Sequence, residues 1–171
     1  PMFYLLIYQV SYRWDRILAF FDPWHDRFGI GYHVIQSFTA FKKGGLLGVG
    51  LGFGTQKITR LPEPHTDFIF AVIAEEAGLI GTVSLVLIFC FVFWRGILIA
   101  VSAPDNFGRL LAIGLSLFIV VQAFINMGVV SGALPTTGVP LPFISYGGSS
   151  LITSMIASGI LLNISRYREA A

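Results

Sequence analysis

Residues 110–165 read LLAIGLSLFIVVQAFINMGVVSGALPTTGVPLPFISYGGSSLITSMIASGILLNIS, 56 positions without an Asp, Glu, Lys or Arg. About 20 apolar residues already cross a hydrocarbon core. Pro135, Pro140 and Pro142 forbid one continuous helix through the middle. The stretch therefore predicts two bilayer spans, 109–130 and 147–164, joined by a re-entrant turn at 131–146.

Working outward, residues 77–94 supply 18 further uncharged positions and place another span at 67–101, with Glu75 and Glu76 near its start and Arg95 near its end. A polar link at 102–108 precedes the next span. Residues 1–11 read as the end of a span, 12–66 as a long loop with some helix, and 165–171 as a tail in water. The expected fold is an all-α polytopic membrane protein. The start at Pro1, directly in apolar sequence and without a charged leader, suggests a fragment.

Composition agrees: 55% of residues are hydrophobic, 12% are charged, and the mean hydropathy is +0.78, far from the soluble average of roughly a quarter charged. A net charge of +2 gives no basis for a nucleic-acid partner. Cys90, the single cysteine, excludes a disulfide framework or thiolate cluster and reads as a buried small residue. Seven of the eleven Lys and Arg fall in 11–66, a count that alone would put the loop in the cytoplasm. Loops approaching 60 residues escape that rule, so charge leaves orientation open.

Four segments carry candidate chemistry. The run from Gly44 to Gly54 lacks the strand and acidic partner of a nucleotide-binding turn. Its glycines serve either close backbone approach to another segment or an anionic headgroup, with Lys42, Lys43 and Lys57 nearby, or helix packing through Gly44, Gly48 and Gly52. In Leu61-Pro-Glu-Pro-His-Thr-Asp67 the prolines delay helix until Thr66 or Asp67. Asp67 is then an N-cap, a functional carboxylate held ionised by the helix end, Lys57, Arg60 and His65, or both. Glu75 and Glu76 point about 100° apart on a helix and are expected not to face one site. One of them should pair with a cation, line a polar cavity or make an interhelical hydrogen bond. The turn from Asn126 to Ser150 offers the hydroxyls of Ser145, Tyr146, Ser149 and Ser150, either to grip a lipid headgroup or in a plain connector.

The glycine run from Gly44 to Gly52, Gln56-Lys57, Leu61-Pro62-Glu63, His65-Thr-Asp-Phe-Ile-Phe70, Glu75-Glu76 and Pro140-Leu-Pro-Phe-Ile-Ser-Tyr-Gly-Gly-Ser-Ser150 together resemble the SEDS (shape, elongation, division and sporulation) family of bacterial cell-wall polymerases. The resemblance covers nearly the whole chain. Gln56-Lys57 and Asn126-Met-Gly-Val-Val130 are closer to the division branch than to the elongation branch. His33, Gly54 and Thr137 depart from residues common there, and Thr137 in place of Lys removes one headgroup contact.

The resemblance implies the C-terminal part of a ten-span helical bundle in the bacterial cytoplasmic membrane at the division septum, with the long loop extracytoplasmic, opposite to the charge count. It implies an inverting peptidoglycan glycosyltransferase that polymerises lipid II, with undecaprenyl diphosphate as leaving group and Asp67 as general base. Gln56, Lys57, Arg60, Glu63, His65, Glu76, Ser145, Tyr146, Ser149 and Ser150 are the implied substrate-binding residues. A divalent cation, Mg or Mn, is a possible helper to Lys42, Lys43, Lys57 and Arg60 at the diphosphate. Implied partners are lipid II, the lipid-linked glycan, a class B penicillin-binding transpeptidase and divisome membrane proteins. A flippase for lipid II and a scaffold that only recruits the transpeptidase are the competing readings.

Overall fold

The computed structural model describes residues 16, 18, 20–24, 29–50, 52–54 and 67–167, and all regular structure among them is helical. Residues 16, 18, 20 and 21 are helical, and the helices described along their whole length are α1 (Ile30–Gly44), α2 (Ile69–Val101), α3 (Asn106–Val130) and α4 (Gly148–Arg166). The last three are each long and apolar enough to cross a membrane. Helix α1 occupies part of the long loop. The predicted end of a span at 1–11 lies outside the described residues.

Helices α2 and α3 pack most extensively, α1 leans on α2, and α4 closes on α3. Their seams are small. On α3 the buried face runs Gly108, Ala112, Ser116, Ile119, Ala123, Met127 and Val130, a helical period. A Cβ on Gly96 of α2 would collide with Ser116 Oγ, so the crossing holds the Ser116 side chain and has no room for a second one. Asp105 Oδ2 accepts from the Gly108 N–H at 2.8 Å and caps α3, which starts the helix three residues before the predicted 109. Buried Ser154, Ala157 and Leu161 form the inner stripe of α4. The outward faces of α2 and α3 expose Leu87, Phe91, Trp94, Leu110 and Phe118, as lipid-facing surfaces do. Cys90 lies on that exposed side. It is not the buried residue its apolar surroundings suggested, because α2 buries only one side.

Helix α2 is broken at Gly78 (φ 63°, ψ −158°). A break strips four backbone groups of their helical partners, which at membrane depth must be satisfied by protein. The glycine run meets that need: Val49 N–H donates to Glu75 O (3.0 Å) and Gly50 N–H to Glu76 O (3.1 Å), while Leu79 and Ile80 N–H donate to Gly45 O (2.9 Å) and Leu46 O (3.3 Å). The run is therefore inserted into the helix break. The close-approach reading of these glycines is the one the backbone adopts.

Candidate functional site

Asp67 does not cap α2. The helix begins at Ile69 with Phe68 at the cap position and no side-chain capping bond, two residues later than Asp67 predicts. Two contacts hold this corner out of the helix. The Phe68 ring stacks on His33 of α1 at 5.2 Å, and the Asp67 carbonyl accepts from Asn126 Nδ2 of α3 at 2.8 Å. The carboxylate, partly exposed, turns toward the proline-rich turn: a Cβ on Gly138 would lie 3.5 Å from Asp67 Oδ2.

Side chains hold that turn extended. Asn126 Nδ2 also donates to Val139 O (2.8 Å), and Gln122 Nε2 donates to Pro140 O (3.0 Å) and Ser150 Oγ (3.3 Å). Arg16 Nη1 donates to Thr136 O at 3.1 Å, which brings a guanidinium to the same turn. Further on, the Leu141 N–H donates to Ser145 Oγ (2.8 Å) and the Ser145 N–H to Leu141 O (3.0 Å). This closed turn forces Phe143 to φ 66°, a left-handed conformation that strains a bulky side chain.

The predicted hydroxyls thus differ in placement. Ser145 is buried in the turn it closes, Tyr146 is 83% exposed, Ser149 is exposed, and Ser150 meets Gln122. Gln56, Lys57, Arg60, Glu63 and His65 lie outside the described residues.

Glu75 and Glu76 converge, contrary to the expectation that they face apart. A Cβ on Gly54 would stand 3.1 Å from Glu75 Oε2 and equally from Glu76 Oε1. Their side chains are long enough to span the 100° between adjacent positions, and Gly54 leaves the space. Glu75 is 1% exposed and its Oε1 is 3.9 Å from Lys43 Nζ. Glu76 Oε1 is buried with no hydrogen-bond partner among the described residues. Roughly 13 Å of helix rise separates this pair from Asp67, so Glu76 belongs to the helix break rather than to the Asp67 corner. Among the described residues no three His, Cys, Asp or Glu come together as a cation site.

One turn into α2 from Asp67, Phe70 opens an apolar cleft of about 360 Å³ between α1, α2 and α3, lined also by Phe41, Val86, Phe124 and Met127. Its lining suits a hydrocarbon chain. A carboxylate beside a backbone-rimmed turn, with an apolar cleft next to it, can take a proton from a polar group whose lipid tail lies in the membrane.

Sequence reasoning missed Gln122 and Arg16. Gln122 carried a signal: an amide within an uncharged run, four residues before Asn126, marks one face of α3. Arg16 carried none, being 120 positions from Thr136.

Residues 1–170 match the family model for the FtsW, RodA and SpoVE proteins, described as "Cell cycle protein". The chain is 53% identical over 165 residues to the "Probable peptidoglycan glycosyltransferase FtsW" of Geobacter metallireducens, covering 96% of this chain and 44% of that protein. It is 50% identical over 162 residues to the "Stage V sporulation protein E" of Bacillus subtilis, covering 95% and 44%. The chain thus spans less than half the length of these relatives. Among solved structures, "Structural coordination of polymerization and crosslinking by a peptidoglycan synthase complex" contains a similar chain at 31% identity and TM-score 0.74, covering 98% of this chain and 45% of that one. A mutant of the rod shape determining protein RodA from Thermus thermophilus aligns at 37% identity and TM-score 0.58, over 64% and 37%.

Proposed function

The chain belongs to the FtsW/RodA/SpoVE family, and from that premise we propose that it forms part of a peptidoglycan glycosyltransferase that polymerises lipid II during septal wall synthesis. The carrying observation is the Asp67 corner: a carboxylate facing Gly138, its backbone tied to the same amide that holds Val139. The relatives' names support the activity, and the peptidoglycan synthase complex supports a class B transpeptidase as partner.

The reaction joins the 4-hydroxyl of one lipid-linked disaccharide to the anomeric carbon of another. A sugar hydroxyl is a poor nucleophile at neutral pH. A carboxylate within about 3 Å takes its proton as the new C–O bond forms, typically worth 10²- to 10⁴-fold. The anomeric bond to undecaprenyl diphosphate breaks with its electron pair going to the diphosphate, and Asp67 returns the proton to water. One base and one displacement invert the anomeric centre without a covalent enzyme intermediate. Cations stabilise the charge that develops on the diphosphate; Arg16, bonded to Thr136 O, suits that role, and the resemblance assigns it to Lys57 and Arg60 as well. The cleft at Phe70 suits the polyprenyl tail.

The test uses purified full-length protein in vesicles, with polymerisation and lipid II translocation measured on the same preparation. Asp67→Asn is expected to abolish strand formation. Strand formation unchanged with translocation lost would establish the flippase instead, and retention of both would favour a scaffold.

A further inference from the structure

Asn126 and Gln122 stand one turn apart on α3, and the chemistry just described uses neither. Their amides nevertheless tie together three separate stretches: the corner leading into α2 (Asp67 O), the extended turn (Val139 O and Pro140 O) and the first turn of α4 (Ser150 Oγ). Asn126 is 2% exposed, and its Oδ1 is buried without a hydrogen-bond partner among the described residues. The two carbonyls fix the amide's orientation. Turned over, the oxygen would face two carbonyl oxygens, which only the NH₂ can serve. A buried acceptor left unmatched is costly, so the arrangement favours holding these two carbonyls over satisfying the side chain.

We propose that Asn126, supported by Gln122, is the positioning residue for Asp67: it sets the separation between the carboxylate and the backbone of 138–140, across which the acceptor hydroxyl must lie. The inference rests on the reading of Asp67 as base and deepens it. A general base works within about 3 Å of the proton it removes, and a misplacement of 1 Å costs on the order of 10²-fold. One side chain bonded to both walls of the gap transmits its own position to both. Gln122 then keeps the turn and α4 in register with that amide.

The experiment is steady-state polymerisation by the full-length protein carrying Asn126→Leu, which removes both donors at similar volume, or Asn126→Ser, which retains one. The expected result is a kcat about 10²-fold lower for Asn126→Leu, KM within about threefold, and Asn126→Ser in between. In an Asp67→Asn background, Asn126→Leu should lower the residual rate by less than about threefold, because residues acting as a unit are not additive. A readout independent of catalysis is crosslinking of Asp67→Cys to Gly138→Cys, whose yield should fall when Asn126→Leu is added. If Asn126→Leu is not recovered as monodisperse protein, Asn126→Ser carries the same measurements. An unchanged kcat, an equal fall in the Asp67→Asn background, or an unchanged crosslinking yield overturns the proposal. Crosslinking that depends on Asn126 while Asp67→Asn remains fully active would overturn it through its premise, with the tie itself intact.

Discussion

Gly48 and Gly78 touch backbone to backbone: a Cβ on Gly78 would collide with the Gly48 nitrogen, and one on Gly48 would collide with the Glu76 carbonyl oxygen. This contact is the point at which the glycine run enters the broken helix. It lets the loop serve the four backbone groups freed by the break, and it fixes where α2 restarts as a membrane span.

Both glycines also have positive φ, so Gly48→Ala and Gly78→Ala incur strain of about 1–3 kcal/mol from conformation alone and a backbone collision besides. Gly52 has φ 85° with open space around it, so Gly52→Ala should cost only the conformational part. Thermal unfolding of the detergent-solubilised full-length protein should therefore rank Gly48→Ala and Gly78→Ala well below Gly52→Ala. Equal melting temperatures for the three would contradict the interlock.

The buried Glu75 and its partner Lys43 make a second prediction. Removing one member of a buried pair strands the other charge, at about 3–5 kcal/mol when the pair is isolated. Lys43 is 39% exposed and its pairing distance is 3.9 Å, so Lys43→Met should cost less, about 1–2 kcal/mol. Lys42→Met, on an exposed position, should be near neutral. Adding Glu75→Gln to Lys43→Met should recover part of the loss, as a double-mutant cycle on melting would register.

Ser145 and Tyr146 are neighbours with opposite expectations. Ser145→Ala leaves the buried Leu141 N–H without its acceptor and should destabilise by about 1–3 kcal/mol. Tyr146→Phe, at an exposed side chain, should leave melting unchanged to within about 0.5 kcal/mol. A rise in KM for lipid II with Tyr146→Phe would identify the hydroxyl as a headgroup contact, and an unchanged KM would remove it from the site.

The spans were legible because apolar length is a one-dimensional property: 110–165 and 77–94 needed only counting. Asp67 and the proline-rich turn stood out for the same reason, as polar or rigid residues in the wrong solvent. What escaped was pairing across the chain. Gly78 sits in an apolar run like any small residue, and only contact with a loop some 30 positions upstream reveals the break. The capping reading of Asp67 failed because His33 and Asn126, from two other helices, hold Phe68 and Asp67 outside the helix. Glu75 and Glu76 converge because Gly54 makes room, which a helical wheel does not contain.

The most direct measurement of the central claim is the single-turnover rate of glycosidic bond formation from lipid II by the full-length protein with Asp67→Asn. This substitution keeps the side chain's shape and removes its basicity. The account predicts a rate lower by 10²- to 10⁴-fold with substrate binding retained. A rate equal to that of the unsubstituted protein would contradict it.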